Sequence, residues 1–224
     1  MTRLAIFDCD GTLVDSGATI FAAVQLTLEQ HGYVVPPPRQ ARRVIGLSLI
    51  EAMGMLVPST SHDQRAAMAG TYRGAFQHLR GAGQVDEPLF PGVRELIDTL
   101  EADGWLLAVA TGKSDRGLRH CLESHGLYAR FVTLQTADRH PSKPHPAMAL
   151  AAMAEAGAEA CSTVMIGDTG WDMGCARGAG IGAIGVGWGY HDRDELIREG
   201  ADVVADEPAE VFQMACEWVT GAAV

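Results

Sequence analysis

Two aspartates, Asp8 and Asp10, stand two positions apart at the end of a short apolar run near the start of the chain. The run spans Leu4 to Phe7 and is followed closely by Gly11, a pattern that is typical of a buried strand ending in a turn. Carboxylates at the exit of a buried strand are costly unless they are paired or bind a cation. The pair therefore indicates paired or cation-binding carboxylates, with an ordinary surface turn as the alternative.

Other polar residues follow later apolar runs in the same way. Thr111 ends one run, Asp168 follows another, and Asp172 comes four positions later. Lys143 lies in a proline-rich loop between these two runs. Ligands of parallel sheets bind at the carboxyl ends of the strands, so we expect Thr111, Asp168 and Asp172 to meet the first pair of aspartates at one edge.

The elements that carry these residues alternate between short apolar strands and helices from about residue 88 onward. This alternation predicts an α/β fold, a doubly wound parallel sheet covered on both faces. Residues 15–85 show helical patterns only, directly after the first strand. The simplest architecture is a core of residues 1–14 and 86–224 with a helical insert of residues 15–85.

Local signals predict the details of several elements. We expect Ser16 to cap the first helix and Pro36-Pro37-Pro38 to form a stiff connector. We also expect a short helix over residues 39–45 and a strand over residues 131–134.

Composition excludes several classes of protein. A formal charge of −11 over 224 residues argues against binding nucleic acid or an anionic membrane through a basic surface. Apolar runs stay short of the roughly 18 residues that span a bilayer, and Asp8 and Asp10 interrupt the only candidate for a signal peptide. The five scattered cysteines lack metal-ligand spacing, which favours reduced thiols and a cytoplasmic protein.

Two glycine motifs resemble nucleotide-binding sequences but fail on context. Residues 180–185 match GxGxxG, yet the motif follows a helix and overlaps a strand instead of joining a strand to a helix. Gly112-Lys113-Ser114 lacks the earlier glycine of a P-loop, because Leu107 occupies that position. Neither motif predicts a nucleotide site.

Taken in order, the motifs resemble those of the haloacid dehalogenase superfamily, in particular its phosphatase branch. The shared features are Asp8-x-Asp10-Gly11-Thr12, Thr111, Lys143, and Gly167-Asp168 with Asp172. The helical insert resembles the cap of the phosphoglycolate phosphatase and β-phosphoglucomutase group. The segment from Arg43 to Leu49 resembles that cap's specificity loop.

The resemblance implies a phosphatase that acts on a small phosphomonoester through an aspartyl-phosphate. It implies Asp8 as nucleophile and Asp10 as general acid and then base. Thr111 would hydrogen-bond the phosphoryl oxygens, and Lys143 would hold Asp8 and the phosphoryl group. Gly112, beside Thr111, is predicted to line the substrate site.

The same resemblance implies a Mg²⁺ cofactor. Its ligand set would comprise Asp8, Asp168, Asp172 (directly or through water) and Asp10 through its backbone carbonyl. Charge counting points the same way, because four carboxylates against Lys143 would repel a phosphate dianion. A divalent cation and one proton on Asp10 would neutralise the site.

The substrate's other end is expected to face the cap. Arg43 and Ser48 are predicted to bind it, with a surface ion pair as the alternative for Arg43. The expected partner is a small phosphorylated metabolite, phosphoglycolate-like, and the expected protein is a monomer or homodimer. Two other readings stay open: a phosphosugar mutase with the same site, and a non-catalytic regulator on the same fold.

Overall fold

The computed structural model describes residues 1–221 and contains a six-stranded parallel sheet. The strands in this range are β1 (Leu4–Phe7), β2 (Leu106–Thr111), β3 (Thr133–Thr136), β4 (Thr163–Gly167), β5 (Gly182–Val186) and β6 (Val203–Ala205). Their order across the sheet is β3-β2-β1-β4-β5-β6, and every pairing is parallel. The prediction of a doubly wound parallel sheet is confirmed.

Ten α-helices lie within the described residues. Four come before β2, namely α1 (Gly17–Gln30), α2 (Pro38–Arg42), α3 (Leu49–Leu56) and α4 (His62–Gly81), and a fifth, α5 (Val93–Ala102), leads into it. The others are α6 (Asp115–Ser124), α7 (Ala147–Ala156), α8 (Gly170–Ala179), α9 (Arg193–Arg198) and α10 (Pro208–Thr220). In the part of the chain that is described, no helix is both long enough and apolar enough to cross a membrane.

Strand β1 is covered on both faces. Successive side chains of a strand point to opposite sides. Ala5 and Phe7 accordingly pack in a cluster with α5, α6 and α10, whereas Leu4 and Ile6 pack with α7, α8 and α9. Because both faces are buried, polar groups carried by β1 can reach a ligand only from its ends.

The helical segment, residues 15–85, has a hydrophobic cluster of its own. Leu28 of α1 and Met68 of α4 are fully buried within it. Its two connections to the sheet run side by side, since the Asp15 N–H donates to the Pro88 carbonyl at 2.9 Å. The segment therefore leaves and rejoins the core at one place, close to the end of β1. Its exact boundaries as a domain stay a prediction.

The structure differs from the predicted elements at three places. The helix predicted over residues 39–45 is the shorter α2. It begins at Pro38, because an N–H in the first turn of a helix has no helical acceptor and proline loses nothing by lacking one. The strand predicted over residues 131–134 is displaced to Thr133–Thr136. Helix α9 is absent from the prediction, and its single buried residue, Leu196, explains why its apolar pattern is weak.

Candidate active site

Three neighbouring strands end at the same edge of the sheet. Asp8 directly follows β1, Thr111 ends β2, and Asp168 directly follows β4. Since β1 lies between β2 and β4, this is the switch point where such sheets bind ligands. The Asp8 N–H donates to the Ile166 carbonyl at 2.9 Å and so continues the pairing of β1 with β4. The sheet backbone itself therefore fixes the position of Asp8.

Asp8 lies in a buried cluster with Lys143 and Asp172. The Lys143 Nζ is 3.0 Å from Asp8 Oδ2 and 2.6 Å from Asp172 Oδ1, and it donates to the Ala110 carbonyl at 3.1 Å. Burial raises the pKa of Asp8 to about 7, against the opposing charge of Lys143. Burial lowers the pKa of Lys143, but the two carboxylates outweigh it and hold that pKa well above its ordinary value. Lys143 is therefore a fixed positive charge beside Asp8.

Asp168 is fixed in a close-fitting pocket. The Thr12 hydroxyl donates to Asp168 Oδ1 at 2.9 Å, and the Tyr190 N–H donates to Oδ2 at 2.9 Å. A Cβ on Gly11 or on Gly189 would collide with this side chain. Burial, with the nearby carboxylates, raises the pKa of Asp168 well above its ordinary value. This carboxylate is held in place at a cost that a cation would offset.

The residues present fit a divalent cation. Asp8, Asp168 and Asp172 offer carboxylate oxygens that all lie within 4.8 Å of one another. The buried Asp8 Oδ2 lies 3.0 Å from the Lys143 Nζ, and no other hydrogen-bond donor reaches it among the described residues. Three carboxylates and one ammonium leave two negative charges uncompensated, and hard carboxylate oxygens suit Mg²⁺.

Asp10 is held by a separate set of contacts. Ser16 occupies the N-cap position of α1, but its hydroxyl donates to Asp10 instead of capping the helix, which corrects the prediction made for it. The Lys113 Nζ lies 2.9 Å from Asp10 Oδ1 and 2.6 Å from Glu87 Oε1. Burial lowers the pKa of Lys113, but these two carboxylates outweigh it and raise that pKa well above its ordinary value.

Lys113 and Glu87 are not among the residues predicted for the site. In the sequence, Lys113 drew attention only through its resemblance to the lysine of a P-loop, and the context excludes a P-loop. A lysine two positions after the strand-end Thr111 was the available signal. Nothing in the sequence around Glu87 indicates its contact, because it depends on where the helical segment rejoins the core.

A loop of the helical segment lies directly over the site. Gly46 in this loop approaches Asp8 so closely that a Cβ there would be 3.6 Å from Asp8 Oδ2. A Cβ on Gly112 would collide with the Leu47 carbonyl. Thr111 is fully buried, and its hydroxyl oxygen accepts from the Lys113 N–H at 3.3 Å. The loop thus closes the space above the strand ends.

Comparison with known proteins identifies the family. Residues 5–186 match the family model described as "Haloacid dehalogenase-like hydrolase". The chain belongs to this family. It is 39% identical over 213 residues to the "Probable phosphatase IndB" of Dickeya dadantii, covering 94% of this chain and 92% of that protein.

Similarity to more distant relatives also extends over almost the whole chain. The hydrolase is 27% identical to a "Phosphoglycolate phosphatase" of Vibrio parahaemolyticus, over 95% of each chain. The crystal structure of a hydrolase from Pseudomonas syringae superposes with a TM-score of 0.84 at 27% identity, covering 96% of this chain and 99% of that one. The predicted family, the fold class and the enzyme class, a phosphatase of this family, are confirmed. The roles of individual residues stay predictions.

In this hydrolase, Arg43 lies at the contact between the helical segment and the core. Its Nη2 is 2.6 Å from Glu195 Oε1, and its carbonyl accepts from the Trp171 indole N–H at 3.3 Å. The His191 Nε2 lies 3.2 Å from the same carbonyl. The structure does not bring the Arg43 side chain together with Asp8, and the ion pair corresponds to the alternative stated for it.

Ser48 of the hydrolase lies at the start of α3. Its hydroxyl accepts from the Glu51 N–H at 3.4 Å, and its own N–H donates to the Ser142 hydroxyl at 2.8 Å. Ser142 directly precedes Lys143, so this contact joins the helical segment to the loop that carries the buried lysine. A substrate contact for Ser48 stays a prediction.

Proposed function

We propose that this hydrolase is a Mg²⁺-dependent phosphatase that cleaves a small phosphomonoester through an aspartyl-phosphate on Asp8. The observation that supports this most strongly is the fully buried carboxylate of Asp8, whose Oδ2 lies 3.0 Å from the Lys143 Nζ. This oxygen faces a fixed ammonium on Lys143 and lies beside two further carboxylates. Such an oxygen has a free lone pair for nucleophilic attack or for a metal.

The residues of the chain divide the reaction between them. Asp8 attacks phosphorus, the ester P–O bond breaks, and Asp10 gives its proton to the departing alkoxide. Asp10 then removes a proton from water, whose oxygen attacks the phosphorus of the aspartyl-phosphate; the P–O bond to Asp8 breaks, which frees the Asp8 carboxylate and inorganic phosphate. Lys143, Thr111 and the Gly112 N–H offset the charge on the phosphoryl oxygens.

Asp8, Asp168 and the backbone carbonyl of Asp10 would hold the Mg²⁺. When bound, the cation supplies positive charge that offsets the phosphoryl oxygens and the carboxylates. Asp172 has both oxygens engaged, one by Lys143 and the other by Thr169 at 2.6 Å. Its part in metal binding is therefore best explained through water or through the placement of Lys143.

The substrate would be a small phosphorylated metabolite, and the enzyme a cytoplasmic monomer or homodimer. Phosphoglycolate, named in the Vibrio parahaemolyticus relative, is the reference candidate. The overlying loop supports a closed state in which bulk water is kept from the phosphoryl group.

Phosphate release with Mg²⁺ tests the proposal, using wild type and Asp8→Asn. We expect the variant to lose at least about 10³-fold in kcat, because an amide is a poor nucleophile. Acid-quenched wild-type enzyme should carry a phosphoryl group that the variant lacks, as measured by intact mass. Chelation should abolish turnover, and Mg²⁺ should raise the thermal unfolding midpoint of wild type. Near wild-type turnover by Asp8→Asn, or full activity after exhaustive chelation, would refute the proposal.

A further inference from the structure

A cavity of about 310 Å³ lies between the helical segment and the core. It begins at Asp10 and Gly112, on the side of the site where a leaving group would receive its proton. Asp8, Lys143 and Asp168 do not line it. The whole cavity is therefore available to the alcohol part of a phosphomonoester whose phosphoryl group lies at Asp8.

The walls of this cavity are mostly apolar. Its lining includes two aromatic rings, Tyr72 and Phe76, whose centroids are 6.0 Å apart. Aliphatic side chains from α1 and α3 face them, among them Val24 and Met53. Glycolate has two carbons and a carboxylate, so it would cover little of this wall and would place a charge against apolar groups. An apolar group of ring size would gain from burial there.

Two of the arginines around the cavity have no ion-pair partner among the described residues. Arg73 of α4 and Arg116 of α6 both line it, both are exposed, and neither forms an ion pair with any residue between 1 and 221. Arg80 also lines it; its Nη2 lies 3.6 Å from Glu87 Oε2, and its buried Nε has no hydrogen-bond partner among the described residues. The one other carboxylate on the lining besides Asp10, that of Asp138, already accepts from the Asp115 N–H at 2.9 Å.

We infer that the preferred substrate is a phosphomonoester of a ring-sized apolar alcohol that carries an anionic group at the end remote from the ester. The apolar walls would bind the ring, and the arginines contributed by the helical segment and by the core would bind the anion. This inference rests on the proposed function and narrows its substrate class. It also separates this enzyme from a phosphatase built for glycolate.

Steady-state phosphate release from three esters tests the inference on the wild-type enzyme with Mg²⁺. The esters are 4-carboxybenzyl phosphate, benzyl phosphate and 2-phosphoglycolate, all of which release an alkyl alcohol. We expect kcat/KM to fall in that order, with at least a roughly tenfold advantage of 4-carboxybenzyl phosphate over phosphoglycolate. Tenfold corresponds to about 1.4 kcal/mol, or about two buried methylene groups. A smaller advantage, or a preference for phosphoglycolate, overturns the inference.

Two exposed arginines allow the anionic end to be tested without disturbing the core. Arg73→Ala and Arg116→Ala should each lower the preference for 4-carboxybenzyl over benzyl phosphate by about fivefold, as expected for an exposed charge pair. Arg119→Ala, on the same helix as Arg116 but outside the cavity, is the matched control and should keep the wild-type preference. An unchanged preference in both cavity variants overturns the assignment of the anionic end.

Phosphonate binding separates failure of this inference from failure of the proposed function. By calorimetry with Mg²⁺, 4-carboxybenzylphosphonate should bind at least about tenfold more tightly than phosphonoacetate, with no hydrolysis required. If none of the three esters releases phosphate but this order of binding holds, the proposed function is wrong and the cavity assignment stands. If phosphoglycolate is hydrolysed well and the phosphonates bind equally, the cavity assignment is wrong and the phosphatase stands.

Discussion

Two lysines form ion pairs with the two aspartates of the first motif, and the lysines differ in what else they contact. Lys143 pairs with Asp8 and Asp172, and its third contact is the backbone of β2. Lys113 pairs with Asp10 and with Glu87, at the junction where the helical segment rejoins the core. Asp8 is thus held by residues of the core, whereas the lysine beside Asp10 also pairs with a group at the junction.

This difference indicates separate tasks. The three contacts of the Lys143 Nζ are all with residues of the core, and the helical segment reaches this side through the Ser48 N–H, which donates to the Ser142 hydroxyl. On the Lys113 side, Glu87 lies 3.6 Å from the guanidinium of Arg80, the cation at the end of α4. Movement of the helical segment would therefore alter the charged surroundings of Asp10 through Glu87. If Asp10 supplies the leaving group's proton, as proposed, this contact would couple binding of the leaving group to that step.

The largest effect is expected from Lys143→Met. This change leaves Asp8 and Asp172 without their shared cation, so kcat should fall by about 10³-fold, as when one preorganised group that stabilises the transition state is removed. The loss should be the same for alkyl esters and for 4-nitrophenyl phosphate, because both need nucleophilic attack. Stopped-time phosphate assays measure it. A loss confined to alkyl esters would contradict the placement of Lys143 on the nucleophile side.

A smaller and selective effect is expected from Lys113→Met, which keeps most of the packing of the lysine stem. Alkyl esters should lose about 10²-fold in kcat, because their alkoxides need the proton that Asp10 supplies. The 4-nitrophenyl ester should lose much less, since nitrophenolate leaves without protonation. Rates for the two ester classes, compared within each variant, provide the measurement. Equal losses for both classes would show that Lys113 does not act through Asp10.

Most of the sheet could be predicted from the sequence because most of its strands are short, mainly apolar and followed by polar residues; β3, Thr-Leu-Gln-Thr, is the exception and was misplaced. The strand ends at Asp8 and Asp168 needed only that change of polarity. Helix α9 escaped prediction because one buried leucine leaves no periodic pattern. The start of the short α2 was placed wrongly because a proline run is typical of a stiff connector, whereas its last proline here begins the helix.

The site was predictable where its residues follow strands and unpredictable where they meet across the insertion. The grouping of Asp8, Asp168 and Asp172 follows from strand ends that share one edge of the sheet, whereas Lys143, in a loop, was predicted only by the resemblance. The contact between Lys113 and Glu87 depends on the path by which the chain returns from α4, which has no sequence signature. The cavity likewise requires the packing of α1, α3 and α4 on the core, so its size and chemistry were invisible beforehand.

The smallest effect is expected from Arg43→Ala, because Arg43 contacts neither Lys143 and its partners nor Lys113 and its partners. Its ion pair with Glu195 is half-exposed on the arginine side, and such pairs contribute about 0.2–1 kcal/mol. If the pair only holds the helical segment on the core, kcat/KM should fall less than about fivefold and by the same factor for every ester. Arg39→Ala, which removes the neighbouring pair with Asp192, is the matched control and should behave alike.

A different outcome for Arg43→Ala would restore the role that the specificity loop predicts for it. Loss of discrimination between 4-carboxybenzyl phosphate and phosphoglycolate, absent from Arg39→Ala, would mean that the Arg43 side chain leaves Glu195 and reaches the substrate. A third charged group, besides the contacts of Lys143 and those of Lys113, would then bind the substrate and help to select it. A uniform, small loss would leave discrimination to the cavity beyond Asp10, where the unpaired arginines lie.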